Sequence, residues 1–94
     1  MSEYVISYDL HRDRNYQHIY DLMDVWGAVR LHQSVWLVSL PVTAGAVQRW
    51  LTQAIDPDDS VVVLQLKPGL QWASYRLEDG PLAWLWRYLP RWWP

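Results

Sequence analysis

Ninety-four residues fit a single domain with a thin core, and a composition 51% hydrophobic and 19% charged excludes a disordered chain. A formal net charge of -2 argues against a broad basic surface for duplex nucleic acid and leaves room only for local contacts. The chain has no cysteine, which excludes disulfides and thiolate chemistry.

The first segment, YVISYDL at residues 4 to 10, is rich in β-branched and aromatic residues and predicts a strand. Val5, Ser7 and Asp9 fall on one face; Tyr4, Ile6, Tyr8 and Leu10 fall on the other. Residues 11 to 15, HRDRN, form a charged loop, in which Asp13 or Asn15 is placed to cap a helix. Tyr16, Ile19, Tyr20, Met23 and Trp26 then recur at helical spacing, with Asp21 and Asp24 turned away. Gly27 suits the end of that helix.

Residues 28 to 41, AVRLHQSVWLVSLP, predict a second β segment. Its internal HQS suggests a bend, a bulge or two short strands. Thr43 is placed to cap a second helix with Val47, Trp50, Leu51 and Ala54 as its stripe. DPDDS at 56 to 60 is turn chemistry, and VVVLQL at 61 to 66 is a strong strand. WASYRL at 72 to 77 alternates like a short strand. In the last segment, EDGPLAWLWRYLPRWWP, Pro81 suits a helix start and Pro90 stops the helix near Tyr88 or Leu89. A helical wheel groups Leu82, Leu85, Trp86 and Leu89.

The order predicts an α+β, ferredoxin-like βαββαβ sandwich over residues 1–77, with an extra C-terminal strand and a Trp-rich helical tail over 78–94. Both main helices cover one sheet face, and the other is left for a second subunit. Eight Trp and no Phe point the same way, since Trp is common where chains meet. The N-terminus lacks the pattern of a signal peptide, and no run reaches the length of a membrane span; the expected location is cytoplasmic.

YVISYDL, a helix, GAVRLHQSVWLV, a helix and DPDDSVVVLQL, in that order within about residues 3 to 77, resemble the CRISPR-associated protein 2 family and its virulence-associated protein D-like ribonuclease relatives. The resemblance implies a ferredoxin-like fold and a symmetric homodimer. It implies that Asp9 lies near its dimer mate as a ligand for a divalent metal, Mg²⁺ by expectation. It matches Arg30 to the basic residue ahead of the second-strand serine, and Ser34, Val35 and Trp36 to the serine-hydrophobic-aromatic step. It makes WASYRL a strand that crosses to the other subunit. Two features depart from the family: the first loop has only Arg12 and Arg14 as bases, and the tail after residue 80 has no counterpart.

The candidate catalytic residues are therefore Asp9, Arg30 and Ser34, with Asp9 as metal ligand and Arg12, Arg14 and Arg30 as phosphate contacts. A hard cation that keeps its waters needs only one or two carboxylates, so paired Asp9 side chains would suffice. Taken without the resemblance, Asp9 reads as the anchor of its own loop. His11 and His32 have the right chemistry for proton transfer but read equally as surface polar residues. Asp56, Asp58 and Asp59 read as a turn before a strand rather than a metal cluster.

Three functions follow. The first is a dimeric Mg²⁺-dependent endonuclease on RNA or DNA in bacterial defence. The second is a non-catalytic dimeric scaffold bridging a partner nuclease or integrase. The third is a toxin-like ribonuclease of a toxin–antitoxin pair. Residues 81–94 are offered as a surface for a protein partner.

Overall fold

The computed structural model describes residues 1–11 and 14–90, without the side chains of residues 14 and 15. The caps assigned to Asp13 and Asn15, the phosphate contacts assigned to the Arg12 and Arg14 side chains, and the role given to the 91–94 tail lie outside what is described. The elements run β1 (Ser2–Asp9), α1 (Arg14–Trp26), β2 (Val29–His32), β3 (Val35–Leu40), α2 (Ala44–Thr52), β4 (Ser60–Leu66) and α3 (Asp79–Tyr88). The four strands form one sheet in the order β2-β3-β1-β4 with every neighbour antiparallel. This order, with its two helical crossovers, fits the ferredoxin-like fold.

Strand alternation divides the sheet into two faces. Tyr4, Ile6 and Tyr8 of β1 stand opposite Val38 and Trp36 of β3 and Gln65, Val63 and Val61 of β4. This inner face meets the helices: Ile6, Ile19, Met23, Val38, Val47 and Leu51 are completely or almost completely buried in one cluster. The α1 stripe read from the sequence is the buried one, and α2 buries Val47 and Leu51. The Tyr4 hydroxyl, otherwise stranded in that core, donates to the Val42 carbonyl.

Local signals place the ends of these helices. The Thr43 hydroxyl accepts the Ala46 N–H at 3.2 Å, as its capping role requires. At the end of α1, Ala28 N–H bonds Met23 O at 2.9 Å and Gly27 N–H bonds Asp24 O at 3.1 Å, with Gly27 at φ +67°. This is a Schellman ending, and it puts Gly27 in the left-handed region. A Cβ there would meet no atom within 4 Å, so only the backbone conformation opposes substitution. Gly27→Ala is expected to cost about 1 kcal/mol, measured as a lowered urea midpoint at unchanged slope.

The second β segment is two strands, β2 and β3, joined through Gln33 and Ser34, with a register shift between Arg30 and His32. WASYRL differs from expectation. Residues 71–78 are irregular in the single chain. The Trp72 indole N–H donates to Leu89 O at 2.6 Å, and Arg76 adopts φ 58°, which breaks strand alternation. The segment packs against the α3 cluster through Trp72 and Leu77 and pairs with no strand among the described residues.

The second correction concerns the outer sheet face. α3 lies on its β2–β3 half, where Leu37, Trp84, Leu85 and Leu89 form a separate core, flanked by Val5, Val29, Leu31 and Trp72. The stripe that buries is Pro81, Trp84, Leu85 and Leu89, while Trp86 stays exposed. The helix begins at Asp79, two residues before Pro81, and it ends at Tyr88 as Pro90 dictates. Among the described residues, the β4 side of the face stays open: Val62 and Leu64 are 47% and 56% exposed. No helix among the described residues is long and apolar enough to cross a membrane.

Candidate functional site

β1 ends on Asp9, which stands opposite Ser60 at the start of β4. Asp9 belongs to the outer set of β1, with Val5 and Ser7, so it shares a face with Val62 and Leu64. It is exposed, and its carboxylate takes part in no hydrogen bond among the described residues.

The loop-anchoring duty that a sequence reading gives to Asp9 falls to Asp59. One Asp59 oxygen accepts the His11 N–H at 2.8 Å, and the other accepts the Asp56 N–H at 2.9 Å. Asp59 N–H in turn bonds Asp56 O at 3.0 Å, closing the turn. Asp59 thus ties the loop after β1 to the loop before β4, and the Asp9 carboxylate takes no part in that tie. This tie spans 48 residues, and only the pairing of β1 with β4 brings its ends together.

Asp56, Asp58 and Asp59 bring oxygen atoms within 4.8 Å of one another. They form a candidate acidic cluster of the right chemistry for a hard cation. Both Asp59 oxygens are nevertheless taken by backbone amides, which agrees with the turn reading of this segment.

Arg30 lies on the other side of the sheet from Asp9. It pairs with Trp36, which pairs with Ile6, so it belongs to the inner set. Its guanidinium is 4.5 Å from the centre of the Tyr20 ring and 4.9 Å from that of Trp36. Tyr8, Tyr16, Tyr20 and Trp36 follow one another at centroid distances near 6 Å, with the Trp36 indole donating to the Tyr8 hydroxyl at 3.0 Å. Arg30 completes this aromatic group, its guanidinium lying near the Tyr20 and Tyr8 phenols. Burial lowers the guanidinium pKa, but the two phenols outweigh it and raise the net value.

Ser34 sits at the β2–β3 turn, where its carbonyl accepts the Tyr8 N–H at 3.1 Å. It is therefore a neighbour of Tyr8 and Asp9 through the backbone. His11 and His32 are both exposed. Arg14 opens α1. The structure thus gathers Asp9, Ser34 and His11 at one end of the sheet and places Arg30 on the opposite face.

Burial pushes the Tyr8 phenol above its ordinary value, against the opposing pull of Trp36 and Arg30. A raised folded-state value means that the native state holds this proton more tightly than the unfolded chain. Its contribution to stability is complete below about pH 10 and declines as pH rises further. Unfolding midpoints between about pH 9 and 11 are expected to fall in the wild type, and to fall less steeply in Tyr8→Phe.

These features define a small α+β protein whose antiparallel sheet carries an exposed carboxylate at one strand end, on a partly open face. Residues 1–70 match the family model described as CRISPR associated protein Cas2, and the chain belongs to that family.

Proposed function

We propose that the protein is a CRISPR-associated, metal-dependent nuclease that acts as a homodimer, with Asp9 as its metal-binding carboxylate. One observation carries the reading. Asp9 is exposed, its carboxylate makes no hydrogen bond among the described residues, and it is on the same sheet face as uncovered Val62 and Leu64. Burying that apolar patch against a second copy would bring the two Asp9 strand ends toward a shared axis.

The donor set suits a divalent cation. Asp9 offers carboxylate oxygens, and Ser60, directly opposite on the same face, offers a hydroxyl. One carboxylate per chain is few for a cation held by a single subunit. Two from a dimer suit Mg²⁺, which keeps several of its waters. When bound, the metal would supply a Lewis acid for the phosphodiester and a water of lowered pKa. The chain's own part is to hold the Asp9 carboxylate in place. The β1–β4 pairing, which takes in the Asp9 backbone, and the Asp59 clamp do this without using the Asp9 carboxylate.

His11, two residues beyond Asp9 and fixed by its own N–H to Asp59, is the nearest imidazole along the chain for moving a proton. Arg30 acts on the opposite face, away from Asp9. The test is cleavage of labelled RNA and DNA strands with and without Mg²⁺, by wild type and Asp9→Asn. Metal-dependent cleavage that Asp9→Asn retains in full would overturn the assignment.

A further inference from the structure

A second site lies at the free edge of β2. A groove of about 260 Å³ there is lined by Arg30, Leu31, His32, Gln33, Arg76, Leu77 and Glu78. Two arginines and a histidine thus share it with one glutamate and two leucines, in a chain whose overall charge is negative. Two irregularities of the backbone converge on it. The register of β2 against β3 shifts between Arg30 and His32, and such bulges re-aim side chains. Arg76 is the one non-glycine residue at positive φ among the described residues, a conformation that persists where the surroundings enforce it.

Arg30 is already ordered. Its guanidinium lies over the Tyr20 and Trp36 rings. Stacking on ring faces leaves the in-plane N–H donors of a guanidinium for a ligand, and Arg30 is exposed. A stacked guanidinium loses little further freedom when it binds. The planar fork matches phosphate oxygens, and two forks in one groove match a doubly charged group.

We propose that this groove binds a phosphate monoester, held by Arg30 and Arg76 with His32 and Gln33 beside them. Its size suits one phosphate with its attached sugar rather than a duplex. Two sources present that chemistry: a free mononucleotide and the phosphorylated end of a strand. The groove is distinct from the Asp9 end of β1. β3 stands between β2 and β1, which separates the two by about 10 Å across the sheet, and Arg30 and Asp9 belong to opposite faces.

The experiment compares a short single strand with a 5′-phosphate, the same strand with a 5′-hydroxyl, adenosine 5′-monophosphate and adenosine. Binding to the full chain is measured by calorimetry at fixed ionic strength in EDTA, so that no cleavage intervenes. The phosphorylated strand is expected to bind roughly tenfold to a hundredfold tighter than its hydroxyl counterpart. Arg76→Ala should abolish that preference, Arg76→Lys should keep part of it, and Glu78→Gln should strengthen it. Monophosphate binding as tight as the phosphorylated strand supports the groove with a free nucleotide as occupant. Tighter strand binding supports it with a strand end. Equal affinity for the two strands, or a preference that survives Arg76→Ala in a protein of unchanged circular dichroism, would overturn the proposal. Asp9→Asn is expected to keep the preference, so failure of the nuclease reading and failure of this one give different results.

Discussion

Leu37→Ala is expected to lower the unfolding free energy by about 2–5 kcal/mol, while Leu64→Ala on the same sheet face changes it by about 0.5 kcal/mol or less in the monomer. Both leucines point outward from α1 and α2. Leu37 is 1% exposed because Trp84 and Leu85 of α3 and Leu89 just after it close over it; Leu64 is 56% exposed because that cluster takes in Leu66 of β4 but not Leu64. Truncating Leu37 leaves a cavity that α3 fills only by leaving its seat. Against a total stability of about 5–15 kcal/mol, the loss is a large share of what holds the native state.

Urea unfolding followed by tryptophan fluorescence measures both variants, since Trp72 and Trp84 belong to the cluster being disturbed. A Leu37→Ala protein within about 0.5 kcal/mol of wild type would mean that α3 contributes no core. Leu64→Ala carries a separate signature. If the open β4 side is where a second copy docks, this variant leaves the monomer's stability unchanged but weakens the concentration dependence of the midpoint.

Much of this architecture is legible in the residues because the inner face is an ordinary one. Tyr16, Ile19, Met23 and Trp26 show helical period, Gly27 and Thr43 mark helix ends, and the polar HQS splits the second β segment. Each is a local signal with a local cause. The outer face is different. WASYRL alternates as a strand does, but alternation reports only which side chains want cover. Here cover comes from α3 and a Trp72–Leu89 hydrogen bond across 17 residues, and Arg76 at φ 58° ends the extended run. The helical wheel of the tail places Trp86 on the buried side, whereas Trp84 takes that position against Leu37 and Val29.

The site was legible in the same uneven way. Asp9 stands out at the end of an apolar strand, and its face follows from alternation alone. That Asp59 ties down the neighbouring loop depends on the β1–β4 register, which no spacing discloses. That Arg30 lies across the sheet from Asp9 depends on β2 pairing with β3 and β3 with β1. The aromatic group around Arg30 draws on Tyr8, Tyr20 and Trp36 from three elements. Its signal in the sequence is only a high count of Tyr and Trp near one arginine.

Asp9→Asn is the change expected to have the largest effect on activity and the smallest on folding. The carboxylate is exposed and makes no hydrogen bond among the described residues, so the amide displaces no structural contact. Stability should stay within about 0.5 kcal/mol of wild type. The charge is what changes. Mg²⁺ prefers anionic oxygen and gives up its waters reluctantly, so replacing both carboxylates of a shared site with amides should remove binding at ordinary metal concentrations. Cleavage is expected to fall by about a hundredfold or more, the loss of several kcal/mol of transition-state stabilisation. A mixed population sharpens the test. If each site takes one Asp9 from each copy, titrating Asp9→Asn protein into a fixed amount of wild type, with time to exchange, should depress the wild type's own activity as heterodimers form. If each Asp9 works alone, the added variant leaves that activity where it was, and the shared-metal reading falls while the nuclease reading stands.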